Sequence, residues 1–145
     1  MERLLLDTAR HASGNSRLFV MAASWLTRYG QKVDPNRLAD LVAGELEQEH
    51  RAVLGLLLST VHRHAGHARF AAAVAACSPA EVAMPLFEVE RRNAVTWRMS
   101  ERRASGLSRE WNLWAPDFEP KYDAIRPASW VDAANPSFRP ASRSA

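Results

Sequence analysis

Six arginines lie between residues 88 and 110 of this 145-residue chain, and two tryptophans follow at 111 and 114. Arg91, Arg92, Arg98, Arg102, Arg103 and Arg109 are the side chains best suited to recognition chemistry. A guanidinium is a planar fork of donors that can bond phosphate or carboxylate through two N–H groups and keeps its charge at any working pH. At about 100° per residue, one continuous helix would hold Arg91, Arg98 and Arg102 within about 40° of each other. It would group Arg92 with Arg103 and set Val95 and Met99 between the two groups. Such a face can track phosphates or dock on an acidic protein. Glu88, Glu90 and Glu101 are near enough in sequence to neutralise part of it through i,i+3 or i,i+4 pairs.

Trp111 and Trp114 would share a helical face beside these arginines. Tryptophan is enriched at protein interfaces, and aromatics next to arginine also form stacking platforms for single-stranded nucleic acid. A third role, and the favoured one, is structural. Trp97, Trp111, Trp114, Phe118, Tyr122 and Trp130 would clamp a helix-poor segment onto a helical body.

Other chemistries find less support. His62, His64 and His67 crowd six residues, but ligands on one helix must be three or four apart, and only His64 and His67 are. No adjacent acid completes a set, so a solvated helix end is expected, with no metal and no cofactor. Cys77 ends an alanine-rich stretch rather than opening a helix, which predicts a packed thiol and not an activated one. Glu45, Glu47 and Glu49 alternate along the chain, and no carboxylate pair is assigned from them. There is no G-x-S-x-G elbow, and the six glycines build neither a phosphate loop nor a dinucleotide fingerprint. No catalytic residue is assigned. An enzyme would need His50, His62 and Glu49 to converge into a polar pocket.

The elements that must position these residues read as all-α. Leu4, Leu5, Ala9 and Ala12 predict a first helix stopped at Gly14-Asn15, and a second, capped by Asn15 or Ser16, runs to Tyr29. Its apolar residues cover so much of the circumference that it is expected to be central. Asp34-Pro35 opens a short third helix ending before Gly44. The longest apolar segment follows Glu49 and reaches His64–Gly66, and Ala68–Cys77 makes another helix. Ser78-Pro-Ala-Glu81 has the capping-box pattern for one further turn. Residues 88–103 are helical by propensity, Gly106 ends them, and Ser108 would cap a helix through Trp114. Later prolines permit only a brief helix at 128–134. No strand alternation of useful length occurs.

The expected architecture is a compact bundle of about six helices with a Trp/Pro-rich, partly irregular C-terminal segment. Residues 1–135 form one domain: a helical body over 1–84, with an Arg/Trp-rich segment over 85–135 packed on it. Residues 136–145 are expected to be a disordered tail.

Composition narrows the class. Apolar residues make up 47% and charged residues 24%, enough for a real core. Of the net charge of +3, two units fall in residues 88–110, where six arginines meet four acids. Only Lys32 and Lys121 are lysines, a bias that a GC-rich genome also produces. One cysteine excludes an internal disulfide. No secretory h-region and no membrane-length apolar run are seen, so a cytoplasmic location is expected.

Several residue groups resemble a loosely characterised group of bacterial regulators and antitoxin-like proteins. They are Asn15-Ser-Arg-Leu-Phe19, Trp25-Leu26, Tyr29-Gly30, Val33-Asp34, Val53-Leu-Gly-Leu-Leu57, Cys77-Ser-Pro79, Pro85-Leu-Phe87, Trp111-Asn-Leu-Trp114 and Lys121–Val131. In that group such a helical region precedes a winged-helix domain. The resemblance implies a regulatory setting and carries no chemistry. Here Asn135-Pro136 is followed by nine residues rather than DNA-reading helices, so an interaction role is expected ahead of a DNA-binding one. The function expected is therefore a non-enzymatic protein–protein interaction module whose Arg91–Arg109 face, together with Trp111 and Trp114, meets the partner, with a nucleic-acid-binding regulator using the 91–109 face as the alternative.

Overall fold

The computed structural model describes residues 1–117, and within them the chain is an all-α bundle. Seven α-helices are present among these residues: α1 Glu2–Ala12, α2 Ser16–Tyr29, α3 Pro35–Glu45, α4 Gln48–Ala65, α5 Ala71–Ala75, α6 Ala94–Arg103 and α7 Gly106–Glu110. Three 3-10 turns supplement them at Gly30–Lys32, Ala68–Phe70 and Glu88–Arg91. Two short strands, β1 Met84–Pro85 and β2 Leu113–Trp114, pair in parallel. The expected helix at 128–134, the tail at 136–145, and the aromatics Phe118, Tyr122 and Trp130 lie outside the described residues.

The helix starts follow local chemistry. The Asn15 side chain accepts the Leu18 N–H and opens α2, while Asp34 accepts from Asn36 and Arg37 and opens α3 with Pro35 in the first turn. The Glu2 carboxylate reaches across to accept the Asp34 N–H at 2.8 Å, tying the start of α1 to that of α3. Gly66 takes a left-handed φ of 68° and ends α4, a conformation that costs any residue with a Cβ. Gly44 does not stop α3, which runs through it to Glu45.

The central helix is α4, not α2 as the spread of apolar residues suggested. Ala52, Val53, Leu54, Leu56, Leu57, Leu58 and Val61 are all buried, and α1, α2, α5 and α7 pack around them. By contrast α2 leaves Met21 half exposed. Phe19, Leu26, Leu38, Val42 and Phe70 complete the core from the surrounding elements.

The segment after Cys77 departs most from expectation. Ser78-Pro79-Ala80-Glu81 forms no helical turn; its chain is drawn instead into the two-strand ribbon. The Ala80 N–H donates to the Trp111 carbonyl, the Met84 N–H to the Asn112 carbonyl, and the Leu86 N–H to the Trp114 carbonyl. Residues 88–103 are not one helix either. Asn93, with extended backbone, accepts the Thr96 N–H and starts α6 afresh after the 3-10 turn. Ser105, rather than Ser108, caps α7, and Gly106 opens that helix rather than ending the previous one. Trp111 sits just past the end of α7 and Trp114 lies in β2, so the two share no helical face.

Candidate functional site

The break at Asn93 decides which arginines can act together. Arg91 belongs to the 3-10 turn and points inward. Its guanidinium donates to the carbonyls of Pro85 and Leu86 at 2.8 and 3.2 Å and pairs with Glu49 at 3.0 Å. The face expected to join Arg91 to Arg98 and Arg102 therefore does not form, because its helical wheel assumed a continuity that the Asn93 cap interrupts. Arg109 is likewise occupied, donating to the Glu101 carbonyl at the end of α6.

This use of arginine recurs through the molecule. Arg10 donates to the Glu45 carbonyl, Arg51 to those of Ala43 and Leu46, and Arg69 to that of Val33. The last carbonyls of a helix lack intrahelical partners and carry the negative end of its dipole, so cations settle there. Much of the arginine content is thus spent on holding helix ends and loops in place. Sequence reading missed this, although basic residues beside helix termini are its signal.

Arg92, Arg98, Arg102 and Arg103 remain. All four are exposed, and among the described residues no hydrogen bond or ion pair engages their guanidinium groups. The inward side of α6 is fixed by Thr96, Trp97 and Ser100. Thr96 Oγ1 donates to the Glu90 carbonyl, Ser100 Oγ donates to the Glu90 carboxylate at 2.6 Å, and Trp97 meets Trp114 edge to face at 5.9 Å. With about 100° per residue, the opposite side holds Val95, Arg98, Met99 and Arg102. Val95 is 68% exposed and Met99 41%, high values for apolar side chains within one helical turn of each other. The outward face of α6 is therefore apolar along its middle and cationic beside it.

The tryptophans serve the fold. Trp111 is buried over Gly55 of α4, and Trp114 is half-buried against Trp97. They fix the ribbon and α6 to the bundle, so the expectation that Trp111 and Trp114 would meet a partner beside the arginines gives way to a packing role set by their burial.

The histidines do not assemble. His64 ends in contact with Asp117 at 3.4 Å, whereas His67 lies beyond the left-handed Gly66 and turns its Nε2 to the Thr27 carbonyl at 3.0 Å. Their i,i+3 spacing therefore never becomes a shared helical face. Among the described residues no three His, Cys, Asp or Glu side chains gather closely enough to hold a metal ion. His50 and His62 are both on α4, twelve residues and hence about 18 Å apart, and Glu49 is paired with Arg91, so the pocket they would have formed does not exist. A shallow cavity of about 350 Å³ beside His62, His67, Phe70 and Val74 is almost entirely apolar. Cys77 donates its thiol to the Ala73 carbonyl; burial pushes its pKa up to about 12, with Arg51 opposing. Such a thiol is a poor nucleophile.

No protein-family model, curated protein or solved structure matches the chain. Among the described residues no helix is long and apolar enough to cross a membrane.

Proposed function

We propose that the chain is a non-enzymatic interaction module that presents the outward face of α6 to a protein partner. One observation carries this: Val95 and Met99 stand exposed on α6 beside Arg98, Arg102 and Arg103, whose guanidinium groups pair with no described side chain. Exposed apolar pairs flanked by unpaired charge suit an interface whose centre is dry and whose rim is polar. The setting implied by the resemblance, a regulatory or antitoxin-like partner in a bacterial operon, is compatible with a surface of this kind.

The test is direct. The doubly reversed variant R98E/R102E and the apolar variant V95D/M99D are each used to capture partners from the native host, next to the unaltered chain. Loss of the same co-purifying protein with both variants is expected. Retention of every partner by both would overturn the proposal.

Arg92, Arg98, Arg102 and Arg103 also favour a second reading, a nucleic-acid-binding regulator. Binding through several phosphates weakens steeply as salt rises. A gel shift with random duplex and single-stranded DNA at low salt separates the two, since a partner held partly by apolar contact keeps more of its affinity in salt.

A further inference from the structure

Resting on that reading, we infer that the occupant of the α6 face is an acidic amphipathic helix of a partner protein. Val95 and Met99 are four residues apart and so stack one turn above the other, as do Arg98 and Arg102 on the adjoining strip. A second helix laid along α6 would meet the apolar strip with its own i, i+3, i+4 residues. It would bring carboxylates, spaced one turn apart, to Arg98 and Arg102 and, on the other flank, to Arg103. Helix in groove or along a helix is a recurring mode of peptide recognition, read through anchors at this spacing. The ten residues of α6 give such a partner about three turns of contact, or about 15 Å.

Charge decides against the other occupants. A second copy of this chain would press together two sets of arginines that have no partner among the described residues, which costs energy at close range. A duplex would use the arginines but leave Val95 and Met99 without a counterpart, since phosphate tracking needs no apolar centre. A lipid surface calls for large anchors such as Trp, Phe or Leu along a free helix. On α6 the large outward apolar side chains are one valine and one methionine, and the tryptophan of the helix is turned inward.

The probe is a displayed library of single helices with every outward position randomised, selected on the full chain. It is counter-selected on a V95S/R98S/M99S/R102S variant whose circular dichroism and melting match the parent. Recovered sequences should carry Leu or Ile at i, i+3, i+4 and i+7 with Glu or Asp on both flanks. Their affinity should drop roughly tenfold or more for R98E/R102E, as expected when close charge pairs are reversed. Recovered helices without acidic enrichment, or helices that bind the variants equally, would overturn the inference; so would the recovery of none. Two controls complete the experiment: random-sequence DNA and vesicles of anionic phospholipid. Tighter binding to either than to any selected helix would also overturn it. If the library fails while V95D/M99D and R98E/R102E still lose a native partner, the interaction module stands and only its acidic-helix occupant falls.

Discussion

The indole of Trp111 lies against Gly55, so close that a Cβ at that position would stand 2.7 Å from Cε3 and nearer still to two other ring carbons. Gly55 is therefore a notch in α4 that receives the ring and helps key the ribbon to the bundle. G55A should destabilise the fold by about 1–3 kcal/mol, the usual cost of overpacking. W111A should cost about 3–5 kcal/mol by leaving a cavity. Because both changes act on one contact, the G55A/W111A double variant should lose less than the sum. Urea unfolding followed by circular dichroism measures all three, and strict additivity would show that the ring and the glycine are not coupled.

Arg91 and Arg98 look alike in sequence and should behave oppositely. Arg91 holds two carbonyls and Glu49, so R91A should cost about 1.5–3 kcal/mol, the range for hydrogen bonds to charged groups. R98A and R102A, with no described partner, should change stability by less than about 0.5 kcal/mol. Thermal melting of the three variants distinguishes the structural arginine from the recognition arginines.

That contrast shows how much the residues disclosed. The helical body was legible because its signals are local: Asn15, Asp34-Pro35 and Gly66 mark their helix ends by side-chain bonds or backbone freedom, and α4 announces itself by apolar length. Residues 78–117 were not. Their form depends on pairing across about thirty residues, as when the Leu86 N–H finds the Trp114 carbonyl, and no local periodicity encodes that. The arginine cluster was visible as composition, but its division into inward and outward members turned on the single cap at Asn93. Val95 and Met99 were already noted between the arginines, and only the placement of Trp97 and Ser100 revealed that they face away from the core.

The Cys77 thiol should stay silent toward Ellman's reagent in the folded chain and react fully in denaturant. Its raised pKa also links it to stability. The folded state favours the protonated thiol, so its contribution is complete below the unfolded value of about 8.5 and is lost as pH climbs toward about 12. C77A should therefore flatten the alkaline decline in melting temperature relative to the parent. An identical decline in both would place the alkaline sensitivity elsewhere.

Glu2 gives the opposite sign at the acid end. The Asp34 N–H that it accepts, together with its own backbone N–H, lowers its carboxyl pKa against the opposing effect of burial. A depressed folded value means stability that is present above the ordinary carboxylate range and lost as pH falls through the folded pKa. The parent should be more stable than E2Q at neutral pH, and the gap should narrow as pH falls below the ordinary carboxylate range. Paired melts across the acid range measure it, and a gap that did not change with pH would assign the difference to packing rather than to charge.

Asn93 carries the last expectation, because it alone separates the inward Arg91 from the outward Arg98. Its side chain accepts the Thr96 N–H at 2.9 Å, and its extended backbone redirects the chain between the 3-10 turn and α6. Replacing an Asn cap by Ala costs about 1 kcal/mol, all of it borne by the helix it starts. N93A should therefore speed amide hydrogen exchange across residues 96–103 by roughly fivefold while leaving Leu54, Leu57 and Leu58 in α4 unchanged. N93D, which keeps an acceptor oxygen and adds negative charge at a helix N-terminus, should restore slow exchange. Uniform acceleration through α4 as well would mean that α6 opens only with the whole bundle, and that the cap holds the fold rather than this one face.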